Sequence, residues 1–304
     1  MKTAIRVGCF VSLLNLVGLL MSASSFAAET ALPAKSQEQS STTQSVQRKV
    51  NKGTADVASE KRKKLFADAT IALAETKKAL KALENKKKDE ALKALAEVTG
   101  KLDIIVARDP KLAMTPVDTE VVTYDVLANP DTIKAIIKEA KAYLNNGEIQ
   151  KARPLIVNLA SETQFRTINI PLATYPSAIK AIVPLIDAGK IDEAKEGLQA
   201  ALSTLVITTD EVTPLPKVRA DHLLKRAQDL TEKKDRGKEE NEELSKHLQA
   251  AREQLQLAEL LGYGKKEDYT AMYEQISEIE NKSAGGKSGA GWFDQLKQQL
   301  DHFF

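Results

Sequence analysis

From Val57 onward the chain shows no long alternation of apolar and polar residues; Ala, Leu, Lys and Glu dominate, and apolar groups recur at helical spacing. That pattern predicts amphipathic helices. Three stretches share a finer pattern: LENKKKDEALKAL from Leu83, LNNGEIQKARPLI from Leu144 and IDAGKIDEAKEGL from Ile186. Each runs from an apolar residue to Gly or Lys three positions later, Ala eight later and Leu or Ile twelve later. Such a stretch reads as the joint of a helical hairpin. Gly147 and Gly189 suit the left-handed conformation that ends a helix, and the small Ala91, Ala152 and Ala194 let the returning helix come close. Lys86 stands where the other copies have glycine, so the first joint is expected to end its helix less sharply.

The joint is similar to the turn of a tetratricopeptide repeat. Its alanines are spaced unevenly, however, and the rest of that repeat's pattern is missing, so the reading is three irregular hairpins and no regular solenoid. Each hairpin is followed by a proline-marked, β-branched segment: VARDPKLAMTPVDTEVVTY, QFRTINIPLATYP and LVITTDEVTPLP. These predict short strands or extended braces, with prolines 110, 116, 171, 214 and 216 preventing long central strands. Asn129-Pro130-Asp131 predicts a helix start with Asn as cap. Beyond Pro216 the pattern is helical again, and Leu244, Leu248, Ala251, Leu255 and Ala258 form a near-heptad series that suits either a partner helix or the protein's own core, the latter being the usual case for one such series in a globular chain. The fold class is mainly α, an irregular array of helical hairpins with short extended or β segments between them.

The two ends differ from this body. Lys2 and Arg6 precede an apolar run that closes in SASSFAAE, which reads as a signal peptide over residues 1–27 with cleavage after Ala27. Residues 28–54 are polar and read as a flexible spacer, residues 55–282 as the helical domain, and residues 283–291 as a Gly/Ser-rich linker. Residues 292–304 then predict an amphipathic helix. On it Trp292, Phe293, Leu296, Leu300, Phe303 and Phe304 share one apolar face, a candidate surface for a client, a partner or the protein's own body.

Composition narrows the chemistry. The single cysteine, Cys9, lies in the leader, so the exported chain has no disulfide or thiolate metal site. Without Lys2 and Arg6, 42 cations remain against 42 acids, and the mature chain is neutral. Nothing in that balance asks for nucleic acid. Gly286-Lys287-Ser288 lacks the earlier glycine of a phosphate loop, because Asn281 stands there. Histidines 222, 247 and 302 have no metal-ligand spacing and read as surface residues. No catalytic, cofactor-binding or metal motif is found, and the expectation is a protein that is not an enzyme and has no cofactor.

The leader, the Ala/Leu/Lys-rich hairpins, the turns LNNGEIQKA and LIDAGKIDEA, and the segments INIPLATYP and EVTPLP together resemble the YfdX family of bacterial exported proteins over roughly residues 55–235. The resemblance implies a mostly helical fold, a place in the periplasm and an association with tolerance of acid, heat or other stress, with chaperone-like activity in some members. It carries no catalytic residues. The expected function is ATP-independent holding of unfolded envelope proteins by a homo-oligomer without a stable membrane span once the leader is cleaved. The alternative is an oligomeric scaffold or adaptor that binds one envelope partner.

Overall fold

The computed structural model describes residues 39–64 and 66–302. The leader, the first part of the spacer, Phe303 and Phe304 lie outside the described residues, as does the side chain of His302.

The three joints build three hairpins: α3 (Ala67–Glu84) with α4 (Lys88–Arg108), α5 (Pro130–Asn145) with α6 (Ile149–Ile156), and α7 (Tyr175–Asp187) with α8 (Ile191–Ser203). Asn129 caps α5, its Oδ1 accepting from the Thr132 amide at 2.9 Å. Gly147 and Gly189 both have φ +75°, and Ala91, Ala152 and Ala194 are each 0 % exposed. Lys86 corrects the expectation of a looser first joint. It takes φ +59° without being glycine, at a cost of about 1–2 kcal/mol. The closing hydrogen bonds are the same in all three copies, from Lys87 to Ala82, Glu148 to Tyr143 and Lys190 to Leu185, at 2.8–2.9 Å.

The segments after the hairpins are strands β1 (Met114–Tyr124), β2 (Glu162–Pro171) and β3 (Val206–Pro214), joined in that order as one antiparallel sheet. The prolines do not keep them short. Pro171 and Pro214 end their strands, Pro116 sits in an edge strand beside a register shift, and central β2 has no proline before its last residue. The other edge is interrupted too. Phe165 faces Glu211 and Arg166 faces Thr209, which leaves Asp210 as an extra residue in β3. Bulges at both edges oppose edge-to-edge pairing.

Antiparallel order decides where the helices go. Met114 at the start of β1 lies opposite Pro171 at the end of β2, so the α3–α4 and α7–α8 hairpins emerge at the same end of the sheet. They share a core that includes Leu95, Val98, Leu102, Ile170, Tyr175 and Ile179. At the other end Glu162 lies opposite Pro214, which brings α5–α6 beside the last four helices. These are α9 (Leu215–Glu232), α10 (Lys238–Leu260), α11 (Lys266–Ser283) and α12 (Asp294–His302). They form a bundle around Leu223, Leu248, Leu255, Met272 and Ile276, and Ile133 and Ile136 of α5 meet Leu257 of α10. The heptad-like series from Leu244 to Ala258 lies inside this bundle's own core.

The N-terminal spacer differs from expectation. It contains α1 (Ser41–Gln44) and the first half of α2 (Gln47–Arg62), with Val46 at 0 % and Val50 at 2 % exposure. Val46 belongs to the core of the C-terminal bundle. Two valines in a polar stretch are too few to order it alone; their contacts come from helices far along the chain.

Two glycines in otherwise similar hairpins should respond oppositely to alanine. Gly100 lies inside α4 with nothing within 4 Å of a new Cβ, so Gly100→Ala should stabilise by about 0.5–1 kcal/mol. Gly189→Ala at φ +75° should destabilise by about 1 kcal/mol. Urea unfolding midpoints of the two variants check both signs.

Candidate functional site

The C-terminal apolar face folds back on its own bundle. Phe293, Leu296 and Leu300 are at most 1 % exposed in the α9–α11 core, and Trp292 is half-buried against it. The helix itself starts at Asp294, after Trp292 and Phe293. Nine residues are too few for a helix to persist alone in water. Docking therefore makes α12 helical, and three fully buried side chains contribute on the order of 5–9 kcal/mol.

The segment before it is held in place. Ala284–Gly286 forms a 3₁₀ turn, the Gly289 amide donates to the Thr231 carbonyl at 3.0 Å, and Arg236 Nη2 donates to the Lys287 carbonyl at 2.5 Å. Arg236 is 7 % exposed, and its Nη1 also donates to the Leu230 and Thr231 carbonyls at 2.9 and 3.0 Å. One guanidinium thus joins the end of α9 to the linker. Gly289 is required for a different reason: a Cβ there would lie 2.3 Å from Cζ2 of Trp292.

A second buried arginine organises the junction between bundle and sheet. Arg219 of α9 is 1 % exposed. Its Nε and Nη2 donate to Gln47 Oε1 of α2 at 3.0 and 2.7 Å, and its Nη1 donates to Asp125 Oδ1 at 3.1 Å. Nη2 also pairs with the other Asp125 oxygen. Asp125 in turn accepts from Ser161 Oγ at 3.0 Å. The Ser161 amide donates to the Tyr263 hydroxyl at 2.9 Å, which donates to Glu162 Oε2 at 2.8 Å. Burial, then the Glu162 carboxylate, pushes the Tyr263 hydroxyl far above its ordinary range. This relay connects α2, α9, the β1–α5 loop, β2 and the α10–α11 loop. No histidine hydrogen-bonds to it among the described residues, and the geometry is that of a clamp.

Beside the clamp, Gln39, Gln44, Gln47, Asp125, Leu127 and Arg219 line a cavity of about 500 Å³. Leu127 is 62 % exposed and holds φ +45°, a strained conformation for leucine.

Among the described residues, no cluster of His, Cys, Asp and Glu could hold a metal ion. His247 corrects the surface reading of the histidines: it is 3 % exposed, with Nε2 3.3 Å from Glu243 Oε1 and Nδ1 buried without a partner among the described residues. His222 is half-buried. The structure brings Trp292, Phe293, Leu296 and Leu300 together, whereas Gly147 and Gly189 turn separate hairpins and Ala91, Ala152 and Ala194 pack inside them. Sequence reasoning missed Gln47, Asp125, Arg219 and Arg236. Arg219 did carry a signal, since it sits three residues after Pro216 and four before Leu223 on the apolar stripe of α9. Arg236 carried none, being one cation in KKDRGK.

Among solved structures, YfdX from Salmonella Typhi is similar at 13 % identity and a TM-score of 0.33, covering 50 % of this chain and 92 % of that one. No curated protein matches. The model of the YfdX protein family matches residues 72–211. Those residues belong to the YfdX family. The YfdX region runs from within α3 into β3, so it spans the three hairpins and their strands except for the first turn of α3 and the end of β3. The bundle α9–α12 and the arm α1–α2 lie outside it, and the Arg219 clamp joins Gln47 and Arg219 on that side to Asp125 and Ser161 in the YfdX region.

Removing one member of the clamp leaves the other charge buried. Asp125→Ala should destabilise by about 3–5 kcal/mol, whereas Asp125→Ala combined with Arg219→Met should recover much of that loss. Guanidinium unfolding of the single and double variants measures the difference.

Proposed function

We propose that this protein is exported to the periplasm and works there by binding, as an ATP-independent holdase that protects unfolded envelope proteins during acid or heat stress. The observation that carries the reading is the docking of α12. A nine-residue helix, stable only on its groove, covers apolar core with Leu296 and Leu300, joined by Phe293 just before it. Such an element is the first to open when the bundle weakens, and opening it offers Leu, Ile and Met side chains to an unfolded client.

Acid has a handle on that bundle. Burial holds His247 of α10 below its ordinary 6.5, opposed by the hydrogen bond to Glu243, and burial also lowers His222 of α9. A histidine whose folded pKa is lowered binds fewer protons than it does in an opened chain. Its neutral form costs nothing above about pH 6.5, and stability is lost as pH falls below that value through the lowered folded pKa. Heat acts on the same element by weakening a short helix. The resemblance to YfdX proteins supports the same assignment through the stress association of that family.

Trp292 is the chain's only tryptophan and reports on the docking site. Its emission should move to the red as pH falls from 7 to 5, and the same acidification should switch on suppression of aggregation of an acid-denatured client at stoichiometric amounts. His247→Gln should move both transitions to lower pH. No suppression at any pH or temperature would sink the holdase; suppression unchanged after truncation before Ser283 would sink the role of α12.

A further inference from the structure

Between α5 and the C-terminal end of α10 lies an open groove of about 510 Å³. It is separate from the α12 docking site and from the Arg219 clamp. Ile137, Ala142 and Leu260 give it apolar surface. Lys134, Lys138 and Lys141, at helical spacings of four and three, line it from one face of α5. Asn145 completes the lining, and no carboxylate among the described residues contributes. Lys134 is paired with Asp131 at 3.2 Å, while Lys138 and Lys141 form no ion pair among the described residues.

An apolar trough bordered by two uncompensated ammonium groups matches one kind of molecule, a hydrocarbon chain that ends in an anion. We propose that this groove binds a single-chain anionic amphiphile, such as a long-chain carboxylate, with its head group at Lys138 and Lys141 and its chain along Ile137 and Leu260. The volume falls within the roughly 300–1,000 Å³ usual for small-molecule sites. A trough of this size takes one chain, which favours a monomeric amphiphile over the surface of an anionic bilayer.

Calorimetric titration of the full chain with submicellar dodecanoate tests the assignment, with dodecanol and dodecyltrimethylammonium as neutral and cationic probes. Dodecanoate should bind, and the other two should bind at least about tenfold more weakly. The pair Lys138→Glu and Lys141→Glu should weaken dodecanoate by about tenfold or more, and Ile137→Asn should weaken it while leaving the lysines intact. The distant pair Lys77→Glu and Lys81→Glu on α3 makes the same change in net charge and should leave binding unaltered. Equal affinity for all three probes, equal loss in both lysine pairs, or binding to phosphatidylglycerol vesicles without binding to dodecanoate overturns the proposal.

Discussion

A guanidinium removed from water must find carboxylate and amide oxygens, and Arg219 finds them on two segments far apart in the sequence. Asp125 comes from the loop after β1, and Gln47 comes from α2 near the N-terminal end of the described chain. The pairing fixes the rotation of α9 about its axis and so the direction in which the bundle leaves the sheet. Apolar packing alone tolerates sliding, because one leucine contact replaces another at little cost. A bidentate ion pair with a third partner does not. The position of the bundle against the YfdX region thus depends on this electrostatic constraint together with the apolar contact of Ile133 and Ile136 with Leu257, while the interior of each body depends on hydrophobic burial.

The sheet sets the second constraint. Three units of the same kind, each a hairpin followed by a strand, would form a one-way stack if their strands ran parallel. Antiparallel pairing sends successive hairpins to opposite ends, so the first and third share a core and the second stands with the bundle. This explains the unequal spacing of the three joints, since units that do not stack on their neighbours need no common length.

The hairpins were legible because their signal is local: a left-handed turn residue, a small residue eight positions after the joint's first apolar residue and apolar groups at helical spacing all lie within one stretch. The sheet was only half legible. Its β-branched segments stand out, but strand partners such as Phe165 and Val121 are separated by a complete hairpin, and no local feature announces their register. Order in residues 41–62 was hidden for the same reason, because Val46 gains its burial from helices that begin at Leu215. At the C-terminal end the apolar stripe showed that α12 needs a surface, but only the structure shows that the surface belongs to α9, α10 and α11. The linker looked free because glycine and serine dominate it; its anchors, Arg236 and Thr231, lie in another part of the sequence.

Val46 and Leu300 belong to one core, although they lie near opposite ends of the described chain. The bundle is therefore closed from both sides, by an early segment and by the last helix. A chain delivered from its N-terminus must keep the α1–α2 arm waiting, undocked, until α9 and α10 have emerged and α12 has followed. Assembly of the bundle then becomes a test of completeness, because a chain interrupted before its last helix leaves the apolar core of α9–α11 unfinished.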